Sequence, residues 1–336
     1  MQRVLVTSLV VCSAALLSVV SLGLLLQINA EQPPKSAAAP TQPSDLGPPK
    51  VARKVPSPAP APEGTPDPLA LQSLTLRLAP LHRPMDNPQP GDWVTQHDEA
   101  GQTFVEYLEH RPVHARGKRR VIYIQPLGYF EASEVEVLNL TARFLGQFFC
   151  LPVQIMKRIP LDVIPSRARR KHRAWGVNQI LAPHVLYELL KPRLPADAAT
   201  LLALTPNDLW PGQGWNFVFG MADLRDRVGV WSTYRNGDPV KERKRHLLRT
   251  FKIASHETGH MFSMRHCTAH ECGMCGSNSR AESDRRPLEF CPPCLAKLLW
   301  ATGCDARARY QNLANLMKEA GLNKQAARYK QLGGRF

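Results

Sequence analysis

A chain of 336 residues, with 30 prolines, 8 cysteines and a formal charge of +15, has room for one large domain or two ordinary ones. The charge is gathered in three runs, RGKRR at 116–120, SRARRKHR at 166–173 and KERKRHLLR at 241–249. No stacking aromatics alternate with them and no recognition motif accompanies them, so a nucleic-acid partner is not expected. They read as solvated faces with some attraction for anionic surfaces or acidic substrates.

From the start of the chain, Val4 to Leu26 is an uncharged, mostly apolar run preceded only by Arg3. It is longer than the apolar part of a cleaved signal and long enough to span a bilayer. Residues 1–30 are therefore expected to anchor the chain to a membrane, with the folded part outside the cytoplasm. The alternative is a signal cleaved after Ile28-Asn29-Ala30, leaving a secreted or periplasmic protein; the bulky Ile28 speaks against it. Residues 31–68 contain twelve prolines and no aromatic residue, the composition of an extended linker. Residues 69–115 form a polar, proline-containing lead-in with a turn at PQPGDW, 88–93.

Next, VIYIQPLG at 121–128 reads as a buried strand, and 132–149 carries apolar residues at helical spacing. PVQIM at 152–156 is a second strand, which gives a β-α-β start and a partly parallel sheet, hence an α/β fold. The stretch 176–204 reads as helical, broken near Pro183, Pro192 and Pro195. NFVFGMA at 216–222 and VGVWSTY at 228–234 read as the two strands of a hairpin. A long helix is expected from Glu242 to about Phe262, with Leu247, Phe251, Ala254 and Met261 on its core face. Residues 263–304 show little periodicity, and two short helices, 306–321 and 323–332, close the chain.

The stretch HETGHMFSMRHCTAHECGMC, 256–275, holds the chemistry. On a helix His256 and His260 lie one turn apart and can grip one ion together. Glu257, beside the first of them, can hold and deprotonate a water polarised by that ion. His266 reaches the same ion if the chain turns back after residue 262. Three imidazoles with one open position make a catalytic zinc site; a structural zinc or a polar helix face leaves the adjoining glutamate unexplained.

The cysteines point to a second ion. Cys267 with Cys272, and Cys291 with Cys294 in CPPC, form the two knuckles of a four-thiolate zinc site. Two disulfides are the competing reading for a domain outside the cytoplasm. His270 reads as a surface residue of a short loop, Cys275 as a small packed side chain, and Cys150 and Cys304 as core or unpaired. Two zinc ions are expected, one catalytic and one structural.

These residues resemble the archaemetzincins, whose pattern H-E-x-x-H-x-x-G-x-x-H-C, x4-C-x-M and C-x-x-C stands here as HETGHMFSMRHC, TAHEC, GM and CPPC. RVIYIQPLG, NFVFGMA and GSNSRAESDRRPLEFCPPCLAKL also look like that family, and the DW and GQTF lead-in looks like its longer, eukaryotic-type members. The resemblance covers about residues 80–332, with 116–336 as the catalytic domain.

It implies a zinc metallopeptidase acting on peptides or proteins. The fold would be metzincin-like: a mixed sheet, a long active-site helix and a small C-terminal subdomain flanking a cleft. By the same resemblance Met274 lies beneath the metal, and the strand with Asn216, Phe217, Val218, Phe219 and Gly220 binds substrate by strand addition. One position departs from the pattern. Ser263 stands where the family has glycine, so a strained or altered turn is expected there. The alternative function is a non-catalytic zinc module that binds peptides or surfaces; a monomer is expected in either case.

Overall fold

The computed structural model describes residues 66–336. The apolar run, and with it the expected membrane anchor, lies outside the described residues, as does nearly all of the proline-rich linker. Among the described residues no helix is long and apolar enough to cross a membrane.

The lead-in is folded. Asp67 caps α1 (Pro68–Leu76) by accepting hydrogen bonds from the backbone of Leu69 and Ala70. Then come α2 (Trp93–Gln96) and α3 (Phe104–Glu109), the latter opened by a capping box between Thr103 and Glu106. Helices this short are not stable alone. They hold because Leu71, Phe104 and Tyr107 dock into the main core and the Tyr107 hydroxyl donates to the Phe262 carbonyl at 2.9 Å.

β1 (Val121–Pro126), α4 (Ala132–Phe149) and β2 (Val153–Ile155) form the expected β-α-β unit, with β1 and β2 parallel. β3 (Arg169–Lys171) and β4 (Asn178–Leu181) follow. The next stretch corrects the sequence reading. Only α5 (Ala182–His184) and the helical turns that continue it to Arg193 are helical. Ala198–Thr205 is instead β5, a strand buried along its whole length, and β6 (Asp208–Trp210) follows it. AATLLALT lacks alternation because both faces of its strand are covered, and such a run cannot be told from a buried helix by periodicity.

The hairpin is present as β7 (Gly220–Ala222) and β8 (Val228–Ser232), paired antiparallel. It is shorter than expected. Of the five residues assigned to the substrate strand only Gly220 lies in β7; Asn216, Phe217, Val218 and Phe219 approach it irregularly. Val218 bridges to Leu209 instead, while Phe219 keeps one bond to β8, its carbonyl accepting from the Ser232 backbone at 2.9 Å.

The main sheet runs β2-β1-β5-β8-β7, parallel except for β7 at its edge, and a second sheet runs β3-β4-β6. Period-two alternation sorts its side chains. Ile122, Ile124, Leu202, Leu204 and Trp231 face a core shared with α4 and α6 (Arg243–Met261). Tyr123, Leu201, Ala203, Val228 and Val230 face the other side, covered by Val185, Leu186 and Leu189. The α/β class with a mixed sheet and a long helix on one face is thus present.

The aperiodic region contains α7 (Arg280–Arg285) and α8 (Pro292–Thr302), before α9 (Ala306–Glu319) and α10 (Asn323–Gly333). The prolines of CPPC open α8, where a missing N–H costs nothing. Cys150 and Cys304 are joined in a disulfide, not unpaired as expected; it ties the end of α4 to the chain just past α8, across a sequence separation of 154.

Candidate active site

α6 presents His256, Glu257 and His260 on its last turns, and the chain reverses to bring His266 back to them. The ring centroids of His256 and His260 are 4.5 Å apart, and those of His266 lie 5.3 and 4.9 Å from them. Ligand nitrogens of all three fall within 4.8 Å of one another.

Each ring is oriented through Nδ1. His256 donates to the Gly273 carbonyl at 3.0 Å and His260 to the Met264 carbonyl at 2.7 Å. His266 donates to Glu99, 3.1 and 2.9 Å from its two carboxylate oxygens. These acceptors fix the proton on Nδ1, so each Nε2 carries a lone pair. Nε2 of His256 and Nε2 of His260 face each other at 3.0 Å. Two lone pairs that close require a cation between them, and neutral imidazoles are what a divalent metal takes. Burial, followed by the neighbouring His266, pushes His256 down to about 3, and burial drives His260 well below the usual histidine range. The residues fit a zinc ion.

Glu257 lies beside this cluster, 6% exposed. Among the described residues no donor reaches its carboxylate, and burial alone pushes its acid up to about 8. It is seated against Gly220 of β7: a Cβ there would lie 2.4 Å from Oε1. Met274, fully buried, sits on the opposite flank of α6. Its sulfur would be 2.4 Å from a Cβ at Gly259, the residue before His260. Both glycines are close-approach positions.

Cys267, Cys272, Cys291 and Cys294 are all buried, with ligand sulfurs within 4.8 Å of one another. Cys267 and Cys291 sulfurs are 3.6 Å apart, and Cys272 Sγ accepts from the backbone of Met274 and Cys291 at 3.4 and 3.2 Å. Hydrogen bonds among the thiols pull Cys267 down, while burial pushes Cys272 up. Four sulfurs crowded this way cannot all ionise without a cation among them, which a divalent metal supplies. They converge on one centre and do not pair into disulfides. Cys275 lies against Cys267 at the edge of this cluster, its thiol donating to the His270 carbonyl at 3.1 Å.

Ser263 has φ 64°, a left-handed and hence strained conformation at the position where the family has glycine. Its hydroxyl donates to the Leu224 carbonyl at 2.7 Å and accepts from the Val113 backbone at 3.0 Å. Side-chain bonds therefore offset part of the backbone strain, and the turn that delivers His266 is intact.

Glu99 and Trp93 escaped the sequence reading. Trp93 Nε1 donates to Glu99 Oε2 at 3.0 Å, and its ring meets the His266 ring edge-on at 5.1 Å. Glu99 is 167 positions from His266. No local pattern could have paired them; the only signal was the DW lead-in.

A triad of histidines on a helix and its return turn, next to a buried carboxylate, is a donor set that could hold one metal ion. Residues 125–299 match the model of peptidase family M54. The chain is 35% identical over 268 residues to archaemetzincin-2 of Homo sapiens, spanning 69% of this chain and 74% of that one. It is 32% identical over 179 residues to the archaemetzincin of Archaeoglobus fulgidus, spanning 53% of this chain and 98% of that one. Solved archaemetzincins from Methanopyrus kandleri and Archaeoglobus fulgidus, each 28% identical, align with TM-scores of 0.47 and 0.43. They cover 56% and 53% of this chain and 98% and 99% of their own. The chain belongs to peptidase family M54, the archaemetzincins, and it is a zinc metallopeptidase.

Proposed function

We propose that His256, His260 and His266 hold the catalytic zinc, that Glu257 is the general base, and that the four cysteines hold a second, structural zinc. The observation that carries this reading is the convergence of three Nε2 lone pairs, each fixed by an Nδ1 hydrogen bond, beside a buried carboxylate that no donor among the described residues reaches. Zinc, when bound, supplies Lewis-acid polarisation of a carbonyl and a lowered pKa for water.

The residues do the rest. Glu257 takes a proton from the attacking water onto a carboxylate oxygen and passes it to the leaving amine as the C–N bond breaks. Its burial keeps bulk water from taking that proton between the two steps. β7 is an edge strand, with Gly220 against Glu257, so an extended peptide added to it lies across the carboxylate. Met274 packs under the histidine-bearing turn and fixes its height.

The test is Glu257→Gln assayed on a diverse peptide library. Turnover is expected to fall by about 10²–10⁴-fold while zinc content stays at the wild-type value. Wild-type turnover in the variant would remove Glu257 from this role.

For the whole chain, we further propose a membrane anchor in residues 1–30, a linker over 31–68, the lead-in 69–115 and the catalytic domain 116–336, placed outside the cytoplasm. The Cys150–Cys304 disulfide supports an oxidising compartment. Protease protection of the full chain in sealed vesicles tests the orientation: a catalytic domain cleaved from the cytoplasmic side overturns it.

A further inference from the structure

The three histidines are not held alike. Backbone carbonyls of the return loop orient His256 and His260, whereas His266 is gripped by a carboxylate from the lead-in. Glu99 lies before residue 125, where the match to the peptidase family begins. The segment that carries it is fastened at several points. Asp92 receives Arg285 at 2.5 Å and Arg286 at 3.3 Å. The Trp93 backbone N–H donates to Glu282 Oε1 at 2.9 Å, and the same carboxylate's Oε2 accepts from the Asn278 backbone at 2.8 Å. The Trp93 ring stacks on His97 at 3.8 Å and lies where a Cβ on Gly276 would come within 2.5 Å of it. Trp93 Nε1 then holds one oxygen of Glu99.

We propose that residues 92–99 are a working strap of the metal centre, in which Glu99 is a positioning residue for His266 and Trp93 positions Glu99. This rests on the reading that the three histidines hold zinc. The physical reason is twofold. A carboxylate on Nδ1–H fixes the ring so that Nε2 points at the ion, and it raises the basicity of that nitrogen as a ligand; removing such a partner typically weakens metal affinity about 10–100-fold. A carbonyl does the first more than the second, so the strap gives His266 a kind of partner that the other two histidines lack. The residues that bind the ion are thereby tied to a segment outside the family core.

The experiment is chelator competition for zinc on the full chain, comparing wild type with Glu99→Ala, Glu99→Gln and Trp93→Phe, with His256→Ala/His260→Ala alongside. Glu99→Ala is expected to weaken one zinc site about 10–100-fold and leave the other unchanged. Retention of the second ion reports that the variant is folded. Glu99→Gln keeps an oxygen acceptor and should recover part of the loss, and Trp93→Phe should lose less than Glu99→Ala. Glu99→Ala with wild-type affinity at both sites, while the double-histidine variant loses one ion, would reduce the strap to a cover. Full metal retention in the double-histidine variant as well would overturn the zinc assignment and the strap's role with it.

Discussion

A Cβ on Gly220 would lie 2.4 Å from Oε1 of Glu257 and 2.7 Å from its Cδ. The edge strand and the carboxylate are thus in direct contact, and glycine at that position is what lets them be. Gly220→Ala must push the carboxylate aside, because β7 is held by its pairing to β8. Activity is expected to fall by about 10²-fold, the effect of roughly an ångström of misplacement, with zinc content unchanged. Steady-state kinetics with metal analysis on the same sample checks both halves. Wild-type kcat/KM would show that Glu257 has free room to move.

The two ligand clusters share one loop. Cys267 N–H donates to the Met274 carbonyl at 2.9 Å, and the Gly273 carbonyl beside it orients His256. Disordering the cysteine site should therefore loosen the histidine site. Cys291→Ala is expected to weaken zinc at the three histidines by at least about 10-fold, in line with losing an orienting partner. Chelator titration followed by elemental analysis separates this from independent sites, for which histidine-site affinity stays constant.

Ser263 sets strain against hydrogen bonds. Ser263→Gly relieves about 1–2 kcal/mol of left-handed backbone cost but gives up two hydrogen bonds worth about 0.5–1.5 kcal/mol each. The two nearly cancel. Ser263→Ala loses the same two bonds but keeps the strain, so it should be less stable than Ser263→Gly by roughly 1–2 kcal/mol. Denaturant unfolding of the two variants gives the order; an alanine variant as stable as the glycine one would show that the turn is unstrained.

Lys252 is buried on α6, its ammonium donating to the carbonyls of Ser283 and Asp284 at 2.9 and 3.1 Å, and burial pushes it down to about 8 from 10.5. Between those values the unfolded chain holds the proton and the folded one has shed it. Stability therefore rises with pH through that window, and the penalty is fully present below pH 8. Measured against Lys252→Met, which cancels other titrating groups, the wild type should gain up to about 1.4 kcal/mol per pH unit from pH 8 to 10. A flat difference would mean that the ammonium keeps its charge throughout.

Much of this was readable along the chain because it is local. The i, i+4 spacing of His256 and His260, the adjoining Glu257 and the two cysteine knuckles are set by helix geometry and short loops, and all seven ligand residues come together as their spacing required. The strained turn at Ser263 followed from a missing glycine. The β-α-β start and the long helix followed from periodicity. Residues 178–181, 198–204 and 216–219 were misread for an opposite reason. Whether a leucine-alanine run is a central strand, or a stretch of phenylalanines leaves its hairpin early, depends on what covers it and what it pairs with.

By itself, then, the sequence determined which metal-binding side chains come close together, since that follows from side-chain type and short spacing. Tertiary structure alone decided what orients them: Glu99 and Trp93 on His266, Gly220 against Glu257, and the Cys150–Cys304 link. Those contacts join residues from tens to nearly two hundred positions apart. Only burial of the shared core brings such distant residues within hydrogen-bond or bonding range.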